Sequence, residues 1–264
     1  MTALLLSAVE GGVLRLTLAD GATRNSLSEA MMAALREALD RAAGDKAVRV
    51  IVLAGEGPAF SAGHNLKDIT AHRAGPDKGA AYFAELFEAC AQLMLGIVHH
   101  PKPVIAEVAG IASAAGCQLV ASCDLAVAAE TARFCTPGVN IGLFCSTPMV
   151  ALSRNMSAKH AMEMLLTGDV FGAEDALRFG LVNRVTPAHA LTGTVMALAN
   201  RIASKSMVTV KTGKQAFHRQ RDLPLAEAYA YTARVMTENL LMRDAEEGIA
   251  AFIAKRPPEW TDEP

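Results

Sequence analysis

The stretch PVIAEVAGIASAAGCQLVASCDLAVAAETARFCTPGVNIGLFCS, residues 103–146, decides the fold. It begins with an apolar run over 103–108, continues through a patch of glycine and small residues over 110–116, and ends its patterned part with a second apolar run over 125–129. The segment between the runs, 115–121, is typical of a short helix. A strand, a helix and a second strand joined by short connections indicate an α/β fold. Because few large side chains occupy the patch, we expect backbone N–H groups to act there.

The rest of the chain extends this pattern in both directions. Upstream, apolar periodicity and turn residues predict a hairpin over 4–9 and 13–18, a helix over 28–43, a strand over 48–53, a glycine-rich loop over 55–68 and a helix over 79–98. Downstream, they predict helices over 157–166 and 173–179 and a strand over 181–185.

From residue 190 the chain reads as helices alone, over 190–204, 206–218, 224–241 and 243–254. We therefore divide the chain into a core over 1–189 and a helical C-terminal region over 190–264. Such a region does not bury its apolar faces by itself, so it is expected to cover its own core or a neighbouring subunit. The final RPPEWTDEP, residues 256–264, is expected to be loose.

Composition argues against several classes of function. The 264 residues are 52% hydrophobic, which is enough for a sizeable core, and the formal net charge is −2. Without a basic stripe, and with only 5% aromatic residues, the chain is not expected to bind nucleic acid. The opening MTALLLSAVEGG has no basic region, and no run of about 18 residues is apolar and free of charge. These features predict a cytoplasmic protein that does not enter membranes.

Cofactor and metal motifs are weak. The five cysteines form no CxxC pair, which favours reduced core cysteines over a catalytic thiol or a metal site: Cys90, Cys117, Cys123, Cys135 and Cys145. His99 and His100 precede a proline and have no other ligand type at metal-binding spacing, so a loop is favoured. Phe60 stands where a dinucleotide fingerprint needs its third glycine, and no GxSxG elbow is present. No metal and no separate cofactor are expected.

Five segments together resemble the crotonase family, that of the enoyl-CoA hydratases and isomerases. They are RNSLSEAM at 24–31, VIVLAGEGPAFSAGHNLKD at 50–68, KPVIAEVAGIASAAGCQLVASCDLAVA at 102–128, TPGVNIGL at 136–143 and ALRFGLVNRV at 176–185. The resemblance runs from about 12 to 255 and is stronger still to one branch of the family. It implies a spiral of ββα units with a helical C-terminal trimerisation region, trimers or hexamers, and acyl-CoA ligands in which coenzyme A is part of the substrate.

The resemblance also implies a site. The backbone N–H groups of His64 and Ala115 would be the oxyanion donors for a thioester, and the His64 side chain either touches the ligand or only lines the loop. The binding segment beside the thioester would comprise Ala62, Gly63, Asn65, Leu66 and Lys67. Lys67 and, more weakly, Arg24 can reach a coenzyme A phosphate, or they are ordinary solvated cations. From the residues alone, the same small residues also indicate close packing of a helix on a strand.

One departure from the family makes the reaction uncertain. Hydratases of this family carry two glutamates, and here Gln118 and Gly138 stand at those positions. Glutamine does not exchange a proton at neutral pH, although it can orient water, and glycine has no side chain. Other members place an acid near the position of Ser146, which leaves Ser146, Cys145 and Asn140 as local polar candidates. Two interpretations stay open: a hydratase, isomerase or related lyase, and a scaffold that binds acyl-CoA without turnover.

Overall fold

The computed structural model describes residues 3–263, which form two β-sheets and eleven α-helices. The strands are β1 Leu5–Glu10, β2 Val13–Leu18, β3 Val50–Gly55, β4 Ala59–Ser61, β5 Val104–Val108, β6 Ile111–Ser113, β7 Leu125–Ala129, β8 Arg133–Cys135, β9 Phe171–Gly172 and β10 Arg184–Thr186. The helices are α1 Glu29–Gly44, α2 Leu66–His72, α3 Ala80–Val98, α4 Ala115–Ser122, α5 Ser146–Asn155, α6 Ala158–Thr167, α7 Ala173–Phe179, α8 Leu191–Ala203, α9 Met207–Gln220, α10 Leu225–Leu240 and α11 Arg243–Ile253.

Successive strands of the chain join the two sheets in alternation from β3 to β8. The larger sheet has the order β1-β2-β3-β5-β7-β10, and the smaller sheet has the order β4-β6-β8-β9. Each of β3, β5 and β7 is followed directly by a short strand of the smaller sheet, and a helix then leads back in two of these turns. This repeated strand, strand and helix confirms the predicted α/β spiral.

The larger sheet is buried on both faces, which explains its apolar runs. Every residue of β3 from Val50 to Ala54 is buried. One face packs on α1, α3 and α4 in the main core, whereas Val50 and Val52 point to a second cluster that includes Leu191 and Val195 of α8. Parallel strands covered on both faces need apolar residues at every position rather than alternation.

Most predicted elements lie within two residues of their observed bounds, but the short ones were missed. The predicted loop over 55–68 contains β4 and the start of α2, and the small-residue patch contains β6. Strands of three residues are too short to show the alternation that identifies a strand. The helix α5 was also missed; its Pro148 lies in the first turn, where a missing N–H has no intrahelical partner to lose.

The prediction of a loose C-terminal end is wrong for the residues that the structure describes, and Pro264 lies outside them. The Trp260 indole donates to the carbonyl of Ser204 at 2.9 Å, and the backbone N–H of Thr261 donates to buried Asp244 at 2.8 Å. Asp262 pairs with Arg49. These polar contacts hold the end against α8 and α11, and they join residues too far apart in sequence to be predicted.

The helix α3 is long and apolar enough to cross a membrane by length and composition alone, with a mean hydropathy of 1.4. It nevertheless contributes buried side chains to the protein core: Leu86, Cys90, Leu93, Met94 and Ile97. A core helix of a soluble protein has the same composition, so this feature is weak evidence for a membrane segment.

Candidate active site

Two loops from distant parts of the sequence meet in direct contact. A Cβ placed on Gly63 would lie 2.9 Å from the carbonyl oxygen of Ser113 and 3.1 Å from the backbone nitrogen of Ala115. A Cβ on Gly116 would lie 2.2 Å from the carbonyl oxygen of Ser61. Only glycine permits this approach, and Gly63 also has a φ of +82°. We call residues 61–64 and 113–116 the donor junction.

The donor junction contains two backbone N–H groups without partners. Ala115 is the first residue of α4, and an N–H there has no intrahelical acceptor. Within residues 3–263, neither this N–H nor that of His64 donates a hydrogen bond to another group of the chain. The preceding Ala114 has a φ of +48°, a conformation that costs a residue with a Cβ about 1–3 kcal/mol. Two adjacent donors at a helix N-terminus can hold an oxygen that carries negative charge.

The imidazole ring of His64 points into the protein. Its Nδ1 lies 3.1 Å from the carbonyl oxygen of Leu27, which can only accept, so Nδ1 carries the proton. The ring meets Phe87 edge to face at 5.7 Å between centroids. Nε2 is buried and has no partner among the described residues, and burial lowers the pKa of the imidazole below its ordinary value. The ring is therefore neutral at pH 7.

The predicted binding segment lies next to the donor junction. The N–H of Ala62 donates to the carbonyl of Arg24 at 3.0 Å, which brings the RNSL segment to the junction. Asn65 caps α2 by accepting from the N–H of Lys67 at 3.0 Å. Leu66 is 51% exposed, and the exposed cations Lys67 and Arg24 have no carboxylate within 4 Å in the described chain. Both are free to meet an anion.

Gln118 and Gly138, the positions where the resemblance implies glutamates, differ in the space around them. Gln118 lies one turn after Ala115, is buried, and its Oε1 is 4.0 Å from Sγ of Cys90 on α3. At Gly138, by contrast, a Cβ would lie 2.7 Å from the carbonyl oxygen of Leu143 and 2.9 Å from Sγ of Cys145. The second position therefore has no room for a side chain unless the neighbouring loop moves.

The remaining polar candidates have structural partners. Ser146 is exposed at the start of α5, and its hydroxyl lies 3.4 Å from the carbonyl oxygen of Phe144. Two acids nearby in the sequence are engaged in ion pairs, Glu107 with Arg15 at 2.8 Å and Asp124 with Lys214 at 2.7 Å. No carboxylate replaces the missing glutamates among these candidates.

The cysteines are free and buried, as predicted, and His100 is held by backbone groups. All five cysteines are free and buried, and burial raises the pKa of each thiol, that of Cys90 to about 11. A protonated, buried thiol is a poor nucleophile. His100 is buried between the carbonyl oxygens of Leu39 and Lys102, at 3.0 and 3.2 Å. In the described part of the chain, no three His, Cys, Asp or Glu residues are placed to hold a metal ion.

A cavity of about 1240 Å³ opens beyond Gln118, between α3, α4, α5 and α9. It follows α3 from Ala91 to Val98, and its walls are mainly apolar. We call it the α3–α9 cavity. Its walls come from helices far apart in the sequence, so no local pattern predicts it. One local signal was present in the sequence. Helical spacing places four cavity-lining residues on one face at the end of α9: Lys214, Phe217, His218 and Arg221.

Comparisons with known proteins show the family to which the chain belongs. The family model described as Enoyl-CoA hydratase/isomerase matches residues 8–263. The human mitochondrial enoyl-CoA hydratase domain-containing protein 3 is 46% identical over 253 residues, 96% of this chain and 82% of that protein. The Xenopus laevis protein of the same name is 48% identical over 252 residues, 96% of this chain and 84% of that protein. The crystal structure of an enoyl-CoA hydratase from Mycobacterium smegmatis superposes with a TM-score of 0.93 at 49% identity, over 98% of this chain and 99% of that one.

These relatives confirm the resemblance, including its stronger branch, and they correct one prediction. The human and Xenopus proteins are mitochondrial, which contradicts the predicted cytoplasmic location. The composition of a folded domain does not reveal its compartment, because a protein is directed to a compartment by a targeting segment that is not part of the fold.

Proposed function

This chain belongs to the enoyl-CoA hydratase/isomerase family, and from that premise we propose that it binds acyl-CoA thioesters and stabilises their enolate form through two backbone N–H groups. One observation carries the proposal: His64 and Ala115 bring unpaired N–H groups together at the donor junction. When a thioester becomes an enolate, its oxygen gains negative charge and its hydrogen bonds strengthen. Loss of one such donor in other enzymes raises the barrier by about 3–4 kcal/mol.

The surroundings of the donor junction support one orientation of the ligand. With the thioester oxygen between the two N–H groups, the pantetheine leaves along residues 65–67 toward exposed Lys67 and Arg24, whose charges suit phosphate. The acyl chain then passes Gln118 and enters the α3–α9 cavity. Phe87 faces His64 and Cys90 faces Gln118 on the same side of α3, so this helix lines the path.

The reaction we propose is of the enoyl-CoA hydratase or isomerase type, in fatty acid or related acyl-CoA metabolism, without the glutamate pair. The amide of Gln118 can orient a water or a carbonyl but cannot exchange a proton at neutral pH. A second candidate is a protein that binds acyl-CoA without turnover. It is favoured by Gly138, where the neighbouring backbone and thiol fill the space that a catalytic carboxylate would need.

We propose that the protein acts as a homotrimer or homohexamer. The outer helices expose large apolar side chains that a monomer leaves in water: Leu225, Tyr229, Met236 and Leu240 of α10, Leu241, and Ile249, Phe252 and Ile253 of α11. Phe252 alone is 85% exposed. An apolar surface of this kind is characteristic of a subunit interface. Native mass spectrometry should give three or six copies, and a monomer at micromolar concentration would exclude this assembly.

The test of function separates binding from chemistry. Purified protein is titrated with octanoyl-CoA, and crotonyl-CoA and longer enoyl-CoAs are followed by loss of their enoyl absorbance. Exchange of the α-protons of octanoyl-CoA is measured in D2O. We expect binding together with α-proton exchange, in which a base from the solvent or buffer removes and returns the proton while the two N–H groups stabilise the enolate oxygen. Binding without exchange or hydration would establish the second candidate, and absence of acyl-CoA binding would overturn both.

A further inference from the structure

The far end of the α3–α9 cavity is marked by arginines from two helices. The Asn155 side chain donates to the carbonyl of Ala121 at 2.7 Å, which places the end of α5 beside the last turn of α4. From the opposite wall, the guanidinium of Arg221 donates to the carbonyl of Arg154. Arg219 also lines the cavity, and all three arginines are exposed to solvent. We call Arg154, Arg219 and Arg221 the arginine cluster.

The arginine cluster lacks acidic partners. Within the described chain, none of the three guanidinium groups has a carboxylate within 4 Å. Arg221 lies over the ring of Phe217 at 5.6 Å, and Arg219 lies over the ring of Tyr231 at 4.7 Å. Aromatic faces hold these two guanidinium groups without neutralising them, and the guanidinium of Arg154 donates to the carbonyl of Val150 at 3.2 Å.

The other charged side chains that line the cavity do not neutralise the arginine cluster. Lys214 uses its three protons on Asp124 and on the carbonyls of Ile97 and Lys102, at 2.7, 3.0 and 3.1 Å. Asp124 is occupied by this pair and by His218 at 3.7 Å. Among the described lining residues, this leaves one further carboxylate, that of Asp222, against three guanidinium groups. The positive excess is local, since the whole chain has a net charge of −2.

The arginine cluster and the donor junction lie at opposite ends of α4. Ala115 begins the helix at the junction, and Ala121 in its last turn is beside the end of α5. Six residues of α-helix span about 9 Å. An acyl chain of roughly six to ten carbons, with bonds of about 1.5 Å, covers this distance. Its far end then meets the arginine cluster rather than an apolar wall.

We propose that the cavity takes acyl thioesters that carry a carboxylate at the far end of the chain, the half-thioesters of dicarboxylic acids. The inference rests on the proposed function, since it needs the thioester at the donor junction. The apolar walls accept the methylene groups, and the arginine cluster binds the terminal carboxylate through paired N–H donors. A plain acyl chain fills the same cavity but leaves the guanidinium groups without an anion.

The test compares octanoyl-CoA with suberyl-CoA, which differ at the far end of the chain. Isothermal titration of the full chain should show that suberyl-CoA binds at least about tenfold more tightly, the effect of one charge-assisted hydrogen bond of about 1.5 kcal/mol. Arg154→Gln with Arg221→Gln should remove this preference. Arg184→Gln is the matched control, because Arg184 is exposed, unpaired within the described chain and outside the cavity, and it should keep the preference.

Octanoyl-pantetheine and suberyl-pantetheine identify which anion the cluster binds, since they lack the nucleotide and its phosphates. If the cluster binds the acyl carboxylate, the preference persists in these esters and is lost in the double variant. If it binds phosphate instead, the variant weakens both CoA esters equally and neither pantetheine ester, which overturns the inference. Arg219→Gln, whose guanidinium makes no hydrogen bond within the described chain, repeats the test if the double variant unfolds. Equal binding of both acyl-CoAs overturns only this inference, whereas binding of neither overturns the proposed function as well.

Discussion

The donor junction and the turn at Gly138 each hold a glycine in tight contact with a backbone oxygen, yet they differ in what that contact does. In the junction, the approach of Gly63 to Ser113 leaves the N–H groups of His64 and Ala115 without partners. In the turn, residues 138–145, the N–H of Leu143 donates to the carbonyl of Gly138 at 2.9 Å, and the space for a side chain is filled. A glycine in tight contact therefore does not by itself identify a functional loop.

The family's expected chemistry has two parts, stabilisation of an oxyanion and activation of water, and they place different demands on these two regions. Stabilising an oxyanion needs only backbone donors, which we propose that the donor junction supplies. Activating water needs a titratable side chain, and the turn at Gly138 has neither the side chain nor the space for one. Changes in the junction should therefore affect ligand binding and chemistry, whereas changes in the turn should affect stability alone.

The largest effect is expected from Gly116→Ala. Its Cβ would lie 2.2 Å from the Ser61 carbonyl, so β4 or α4 must move and the donor junction opens. We expect a loss of about 3 kcal/mol in the free energy of unfolding, a fall of about 6–12 °C in Tm by calorimetry, and loss of acyl-CoA binding. Gly193→Ala in α8 is the control; its Cβ meets nothing within 4 Å, and it should stabilise the protein by up to about 1 kcal/mol. An unchanged Tm for Gly116→Ala would contradict the tight contact.

The second effect comes from removing one donor. Ala115→Pro lacks the N–H and should slow α-proton exchange about 10²- to 10³-fold and weaken acyl-CoA binding about tenfold. His64→Ala is the matched variant, since it removes a side chain and keeps the N–H, and its affinity should stay within about threefold. Circular dichroism must show that the proline variant retains its helices. If His64→Ala abolishes binding while Ala115→Pro does not, the side chain rather than the backbone forms the site.

A smaller effect should follow from restoring the glutamates. Gly138→Glu must displace Leu143 or Cys145, so we expect a loss of about 1–3 kcal/mol in unfolding free energy and no hydration of crotonyl-CoA. Gln118→Glu, whose side chain already has room, should change stability less. Calorimetry and the enoyl absorbance assay measure both. Rapid hydration by Gly138→Glu at an unchanged Tm would show that the turn does accommodate a catalytic acid.

The smallest effect is the pH dependence of stability. Burial lowers the pKa of His64 and of His100, so the unfolded chain binds these protons more readily. Stability is therefore full above the unfolded pKa of about 6.5 and falls as the pH drops toward the folded values, by at most about 1.4 kcal/mol per pH unit for each imidazole. Urea unfolding at pH 7 and 5.5 should show this loss, and His64→Gln should reduce it. An identical pH dependence in the variant would mean that His64 is not buried as a neutral ring.

The sequence predicted the parts that depend on local pattern. The run over 103–146 indicated two strands and the helix that begins at Ala115, because apolar runs and small connections are local features. It could not predict that Gly138 has no free space, since Leu143 and Cys145 reach it only through the shape of the turn. The arginine cluster was also beyond prediction, because Arg154 and Arg221 are 67 residues apart and meet only in the folded chain.

We expect the oxygen of a bound thioester to lie between two backbone N–H groups, and a crystal structure with octanoyl-CoA bound would show its position. We expect the carbonyl oxygen at about 2.7–3.1 Å from the backbone nitrogens of both His64 and Ala115. An oxygen more than about 3.5 Å from both nitrogens would contradict the claim.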